Sequence, residues 1–167
     1  LPDIRWKDLG QHISSIVPLD ENESIIRVIG IEKFEGTNEY ILTVSKHGQI
    51  KRSPLKDYQV SRYSRAMSTM KLKADDEVIS AQLVTDEGEI VLTSNTSFTV
   101  RFNMEELPPT GVKTGGVKGL VLKDGEYVIA TNIIVPNVEK DVIVVTHRGA
   151  VKRMNSTELE QTGRAKR

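Results

Sequence analysis

The side chains in this sequence best suited to chemistry are cations that return in step. Lys51-Arg52 follows the apolar run Ile41-Leu42-Thr43-Val44 and the turn cluster Lys46-His47-Gly48. Lys152-Arg153 follows Val142-Ile143-Val144-Val145 and His147-Arg148-Gly149 in the same order. A looser copy begins at Ile90 and ends Thr99-Val100-Arg101-Phe102. Arg52, Arg101 and Arg153 are thus 49 and 52 residues apart. Lys and Arg held in such phase could neutralise nucleic-acid phosphates and release their counterions without reading base sequence. The plainer alternative is edge protection, because charge on an outer strand blocks unwanted strand pairing. Recurrence at one place in several units favours phosphate contact, since random edge charges need not keep step. Lys51 and Arg52 are adjacent, so an ideal strand points them to opposite faces. Both reach one rim only where the strand twists or ends.

Other chemistry is poorly served. His12, His47 and His147 have no cysteine partner and no Glu at ligand spacing, and the last two read as turn residues rather than metal ligands. No Ser-His-Asp or Cys-His arrangement stands out, and carboxylate pairs such as Asp75-Asp76 lie in solvated acidic runs. The expectation is no catalytic residue, no metal site and no cofactor within this chain. Gly115-Gly116-Val117-Lys118-Gly119 suggests a phosphate loop, but Val117 separates Gly116 from Lys118, so the required Gly-Lys pair is missing. A flexible basic connection is the better reading. Trp6 reads as a packing anchor, and aromatics are too few for single-strand binding by stacking.

The elements that must position these cations are short strands. Ile41–Val44 are apolar or β-branched, as a pleated surface favours, and Gly48 can take positive φ in the turn. Each cationic strand is followed by an acidic-apolar pair: Asp57-Tyr58, Glu106-Leu107 and Glu158-Leu159. A second half recurs too, as Leu72-Lys73 before Glu77-Val78-Ile79 and Leu122-Lys123 before Tyr127-Val128-Ile129. A β-rich repeat of about 50 residues predicts an all-β, propeller-like array of four-stranded blades. The units are 39–87 and 88–139, flanked by a second half at 1–38, where acidic residues and then Ile25-Ile26-Arg27-Val28-Ile29 match the order of Met70 to Val84, and a first half at 140–167. That is about three blades' worth of an incomplete disc. In the second unit the strands fall at about 88–94, 98–103, 117–122 and 126–135.

At 167 residues the chain can bury one sizeable core. No apolar run approaches a membrane span of ~20 residues and no leader is visible. The absence of cysteine is compatible with the cytosol. Formal charge is +0, yet the charges segregate along the repeat. Lys46, Lys51, Arg52, Lys56, Arg62 and Arg65 gather in one stretch, and Arg148, Lys152, Arg153, Arg164 and Lys166 in another. Acidic residues gather elsewhere, at Asp75-Asp76-Glu77 and Asp86-Glu87-Gly88-Glu89. With Arg101, Lys113 and Lys118, the cations would form a discontinuous stripe around the rim of stacked blades.

These residues resemble the C-terminal domain of the bacterial type IIA topoisomerase A subunits, the family of DNA gyrase A and topoisomerase IV A. The recurring Gly-x-Ile/Val-Lys-Arg strand with its acidic-apolar pair is similar to that family's blade motif. So is Thr110-Gly111-Val112-Lys113-Thr114-Gly115-Gly116-Val117-Lys118-Gly119-Leu120. The opening Leu1-Pro2-Asp3-Ile4-Arg5-Trp6-Lys7-Asp8-Leu9-Gly10-Gln11-His12 is similar to the topoisomerase IV version. The gyrase box Gln-Arg-Arg-Gly-Gly-Lys-Gly is absent, and Lys113–Gly119 approximates it with an extra residue. The resemblance implies a β-pinwheel with double-stranded DNA bent around a basic rim. It implies a non-catalytic module that orients duplex segments for ATP-dependent strand passage, in decatenation and supercoil relaxation. The alternatives are a gyrase A wrapping domain or a protein-interaction blade array. ATP and Mg would serve the whole enzyme, whose implied partners are the A-subunit dimer and the ATPase B subunit. None of Tyr40, Tyr58, Tyr63 or Tyr127 takes the catalytic tyrosine's role. The implied location is cytoplasmic and nucleoid-associated, with peripheral association at the inner membrane face as a further expectation.

Overall fold

A hydroxyl at the end of each hairpin's first strand closes the turn that follows. Ser45 Oγ accepts the N–H of Gln49, Ser94 Oγ that of Phe98 and Thr146 Oγ1 that of Ala150. The turns place Gly48, Ser97 and Gly149 at φ of +80°, +65° and +81°. A computed structural model describes residues 4–62, 66–138 and 140–167. The hairpins pair Tyr40–Ser45 (β1) with Gln49–Pro54 (β2), Glu89–Ser94 (β4) with Thr99–Asn103 (β5), and Asp141–Val145 (β8) with Val151–Asn155 (β9). Their registers match: Thr43 faces Lys51, Leu92 faces Val100 and Val144 faces Lys152.

Each of the first two hairpins gains a strand from its own second half. Val78–Val84 (β3) pairs with β1, and Val128–Ile134 (β7) pairs with β4, both antiparallel and both with a register shift at the serine. The fourth strand of the first sheet comes from the next unit. Val117–Lys118 (β6) pairs with β2 through Gln49 and Ile50, giving the order β3-β1-β2-β6. The second sheet runs β5-β4-β7, and the third is the β8–β9 hairpin. The array is all-β, punctuated by 3-10 turns. One correction to the sequence reading follows: 117–122 does not complete the second unit's own sheet, because β6 is exchanged to the first.

The acidic-apolar pairs end short 3-10 turns at Leu55–Tyr58, Met104–Glu106 and Ser156–Glu158. Glu106 and Glu158 close capping boxes with Asn103 and Asn155, which explains the acidic residue at that place. Pro54 heads the first turn without a side-chain cap.

Leu42, Val44, Ile50, Val84, Ile90, Leu92, Val100, Phe102, Leu107, Leu120 and Val128 form one buried cluster shared by the first two sheets. Residues 4–38 depart from expectation. They form one 3-10 turn, Ile13–Ser15, and Ile25–Ile29 make no strand. β3 and β7 each join a hairpin of their own unit, and residues 4–38 contain no such hairpin to supply a ladder. Trp6 is no packing anchor: it is 88% exposed, with Lys7 Nζ 5.1 Å from its ring.

Candidate nucleic-acid interface

The geometry takes two of the three in-phase arginines out of the expected outer stripe. Arg52 is buried; Nη1 donates to Asp86 at 2.8 Å and Nε to the Leu107 carbonyl. Its guanidinium lies 4.8 Å from the Tyr40 ring. Arg101 donates to Glu89 and to the carbonyls of Ser156 and Leu159. Arg153 stays exposed but is paired with Asp141, to which Nε donates at 2.6 Å. The partner position repeats. Tyr40, Glu89 and Asp141 each open the first strand of a hairpin, facing Pro54, Asn103 and Asn155. Each is therefore the diagonal neighbour of its arginine on one face.

Lys51 also leaves the rim. It is 1% exposed, and Nζ donates to the carbonyls of Gly111, Val112 and Thr114 at 2.9, 2.6 and 3.3 Å. Burial pushes its ammonium below the ordinary lysine range. Lys46 pairs with Glu77 at 2.8 Å. The acidic runs are thus the folded partners of the basic runs: Glu77 takes Lys46, Asp86 takes Arg52, and Glu89 takes Arg101. Segregation along the chain becomes pairing in space.

Part of what remains exposed lies along the outer edge of β2. The segment 110–119 runs beside that strand. Thr110 N–H donates to the Arg52 carbonyl, and Gly119 N–H donates to the Gly48 carbonyl. Gly116 and Gly119 serve close approach. A Cβ on Gly116 would stand 2.5 Å from Met70 Cε and 3.0 Å from the Ile50 backbone. The matching segment of the third unit runs alongside: Thr162 N–H donates to the Arg101 carbonyl, and Leu120 bridges Lys166. Arg164 Nη1 donates to the Lys118 carbonyl at 2.9 Å. Lys113, Lys118 and Lys166 are exposed, with no ion pair among the described residues. Arg62 is exposed and lines one hollow with Lys113.

Lys56, Arg148 and Lys152 are exposed elsewhere: on the first 3-10 turn, at the third hairpin's turn and on β9. Arg65 and Tyr63 lie outside the described residues.

The array of repeated hairpins, with one strand exchanged between sheets, has an overall fold shared with known proteins. The family model described as "DNA gyrase C-terminal domain, beta-propeller" matches residues 39–85, 88–134 and 140–167. The chain belongs to this DNA gyrase C-terminal domain family. Two relatives are the A subunits of DNA topoisomerase 4 from Bacillus subtilis (strain 168), 37% identical, and from Staphylococcus epidermidis, 36% identical. Both match over the whole chain, which spans 20% of either protein. A crystal structure of the C-terminal domain of DNA topoisomerase IV is 43% identical with a TM-score of 0.92, covering all of this chain and 51% of that one. A DNA gyrase A C-terminal domain at 23% identity and a TM-score of 0.80, covering 93% of this chain and 50% of that one, shares the fold. The similarity is thus stronger to the topoisomerase IV domain. The fold is the β-pinwheel of these topoisomerase domains, here as open sheets.

Within this gyrase-family frame, one cation escaped the sequence pattern. Lys71 is exposed, and its N–H donates to the Thr114 carbonyl at 3.1 Å, beside Lys113. It belongs to a second half that reads as acidic, and only the exchange of β6 brings it to the edge. Among the described residues no group of three or more His, Asp or Glu could hold a metal ion, and no helix is long and apolar enough to cross a membrane. The arrangement offers distributed cations on backbone tied to a sheet edge, suited to a long polyanion.

Proposed function

We propose that this chain is a double-stranded DNA-binding and DNA-bending module of a topoisomerase IV A subunit. It orients duplex segments for ATP-dependent strand passage by the whole enzyme, acting with the A-subunit dimer and the ATPase B subunit, with no catalytic residue of its own. The observation that carries the reading is the edge built by 110–119 and 162–167. These segments come from successive units, and they present Lys113, Lys118 and Lys166 with Arg164 between them. Lys71 and Arg62 adjoin it. Bending a duplex costs on the order of 1–6 kcal/mol, which many modest phosphate contacts can offset.

The test is duplex affinity as a function of salt. Lys113, Lys118, Arg164 and Lys166 changed together to Ala should weaken binding to any sequence and lower the salt slope by roughly 3 to 4. Unchanged affinity and slope would sink the proposal. Duplex binding retained by this variant but lost with Lys56, Arg148 and Lys152 changed would move the contact surface to those residues.

A further inference from the structure

Lys51 is a buried cation without a carboxylate partner among the described residues. Three carbonyls of one loop take all three of its ammonium protons. That loop carries Lys113 between Val112 and Thr114, two of the residues whose carbonyls are captured. Elsewhere the segment has other anchors. Thr110 is held by the Arg52 carbonyl, Lys118 by β6 pairing with Gln49, and Gly119 by the Gly48 carbonyl. Between those anchors Lys51 supplies three bonds; Lys71 N–H to Thr114 and the Thr114 bonds to the Gly111 carbonyl complete the hold. The matching position in the second unit is Val100, whose facing segment is held instead by Arg164. The second unit therefore keeps its hairpin without an ammonium cage, so the cage is not a requirement of the fold.

We infer that Lys51 is a positioning residue for duplex binding: its ammonium fixes the loop 111–114 and so places Lys113 against the phosphate backbone, without touching DNA itself. This rests on the edge reading above. Lys118 stands on the β6 ladder and should be indifferent to Lys51. That contrast separates positioning from general destabilisation, which would disturb both.

The experiment uses the whole chain and a random-sequence duplex, with K51M, K113A, K118A and the doubles K51M/K113A and K51M/K118A. K51M should weaken binding by the same factor as K113A, each lowering the salt slope by roughly one. K51M/K113A should bind no more weakly than K113A, whereas K51M/K118A should show the product of the two single losses. Amide exchange without DNA should rise at 111–114 in K51M and stay unchanged in β1 and β4. If K51M unfolds, K51V replaces it, since Val100 occupies the matching strand position in the same fold. Multiplicative losses in K51M/K113A, or wild-type binding by K51M where K113A is impaired, overturn the inference. If K113A binds as wild type, both the inference and the place of Lys113 in the edge reading fall. Increased exchange at 111–114 would then still show that Lys51 orders the loop, so that the failure lies with the interface and not with the cage.

Discussion

Arg52 and Leu107 are joined across the boundary between two units, guanidinium Nε to carbonyl, and Arg101 is joined to the Leu159 carbonyl through Nη1. In both cases the carbonyl ends the 3-10 turn of the following unit. The in-phase arginine is thus a coupling between neighbours. Methionine at position 52 would leave the buried Leu107 carbonyl without this donor, costing about 1–3 kcal/mol, while half-exposed Asp86 returns to water. R101M would strand mostly covered Glu89 as well, and should cost about 3 kcal/mol or more. R153M removes an exposed pair worth about 0–1 kcal/mol. Urea unfolding should rank the losses R101M, R52M, R153M; a larger loss for R153M than for R52M would contradict the coupling.

Gly116→Ala tests why the loop is glycine-rich. The new Cβ would meet Met70 Cε at 2.5 Å and the Ile50 backbone at 3.0 Å, and β2 cannot shift without disturbing two ladders. Gly119→Ala meets only side chains, Leu92 Cδ1 at 2.7 Å and the Ile50 side chain at 2.8 Å. Overpacking of this kind costs about 1–3 kcal/mol. G116A should lie at the upper end and also weaken duplex binding, because it pries 110–119 from β2. A larger loss in G119A would show that the loop is not seated on the Ile50 backbone.

The hairpins were legible because their determinants are local. The hydroxyl of Ser45, Ser94 or Thr146, the turn that follows and the in-phase cationic strand lie within about a dozen residues. The fate of the cations was not legible, because their partners are remote. The carbonyls that hold Lys51 lie 60 to 63 residues away, and Asp86 lies 34 residues beyond Arg52. A basic run and an acidic run read as two surfaces, yet the fold closes one upon the other. Lys113, Lys118 and Lys166 came through as candidates because they sit in segments that drape an edge and meet no acidic run. Lys71 was hidden by its acidic surroundings until β6 crossed between sheets.

Ser97 offers a stabilising change. It sits at φ +65° where the other two hairpins have Gly48 and Gly149, and its N–H makes the same turn bond, to Ser94. A left-handed non-glycine residue carries about 1–2 kcal/mol of strain, partly offset by glycine's greater entropy loss of about 0.5–1 kcal/mol. S97G should therefore raise stability by about 0.5–1 kcal/mol in urea unfolding. G48A should do the reverse, since its Cβ would stand 2.9 Å from the Leu120 carbonyl oxygen. Destabilisation by S97G would mean that its side chain contributes more than its backbone costs.

Acid should remove one tie between the second and third units. Arg167 donates to both oxygens of Glu126, Lys123 N–H donates at 2.7 Å and Thr96 Oγ1 at 3.0 Å. The hydrogen bonds from Arg167, then that from Lys123, hold the carboxyl at about 2 against an ordinary 4.5. A folded value below the unfolded one means that the native state binds fewer protons between them. The stabilisation is then complete above about 4.5 and lost as pH falls toward about 2. E126Q lacks the charge at every pH. The melting temperature of the native chain should exceed that of E126Q by a constant margin near neutrality, and the margin should shrink below the ordinary carboxylate value. A margin independent of pH down to about 2.5 would show that the pair with Arg167 does not govern this carboxyl.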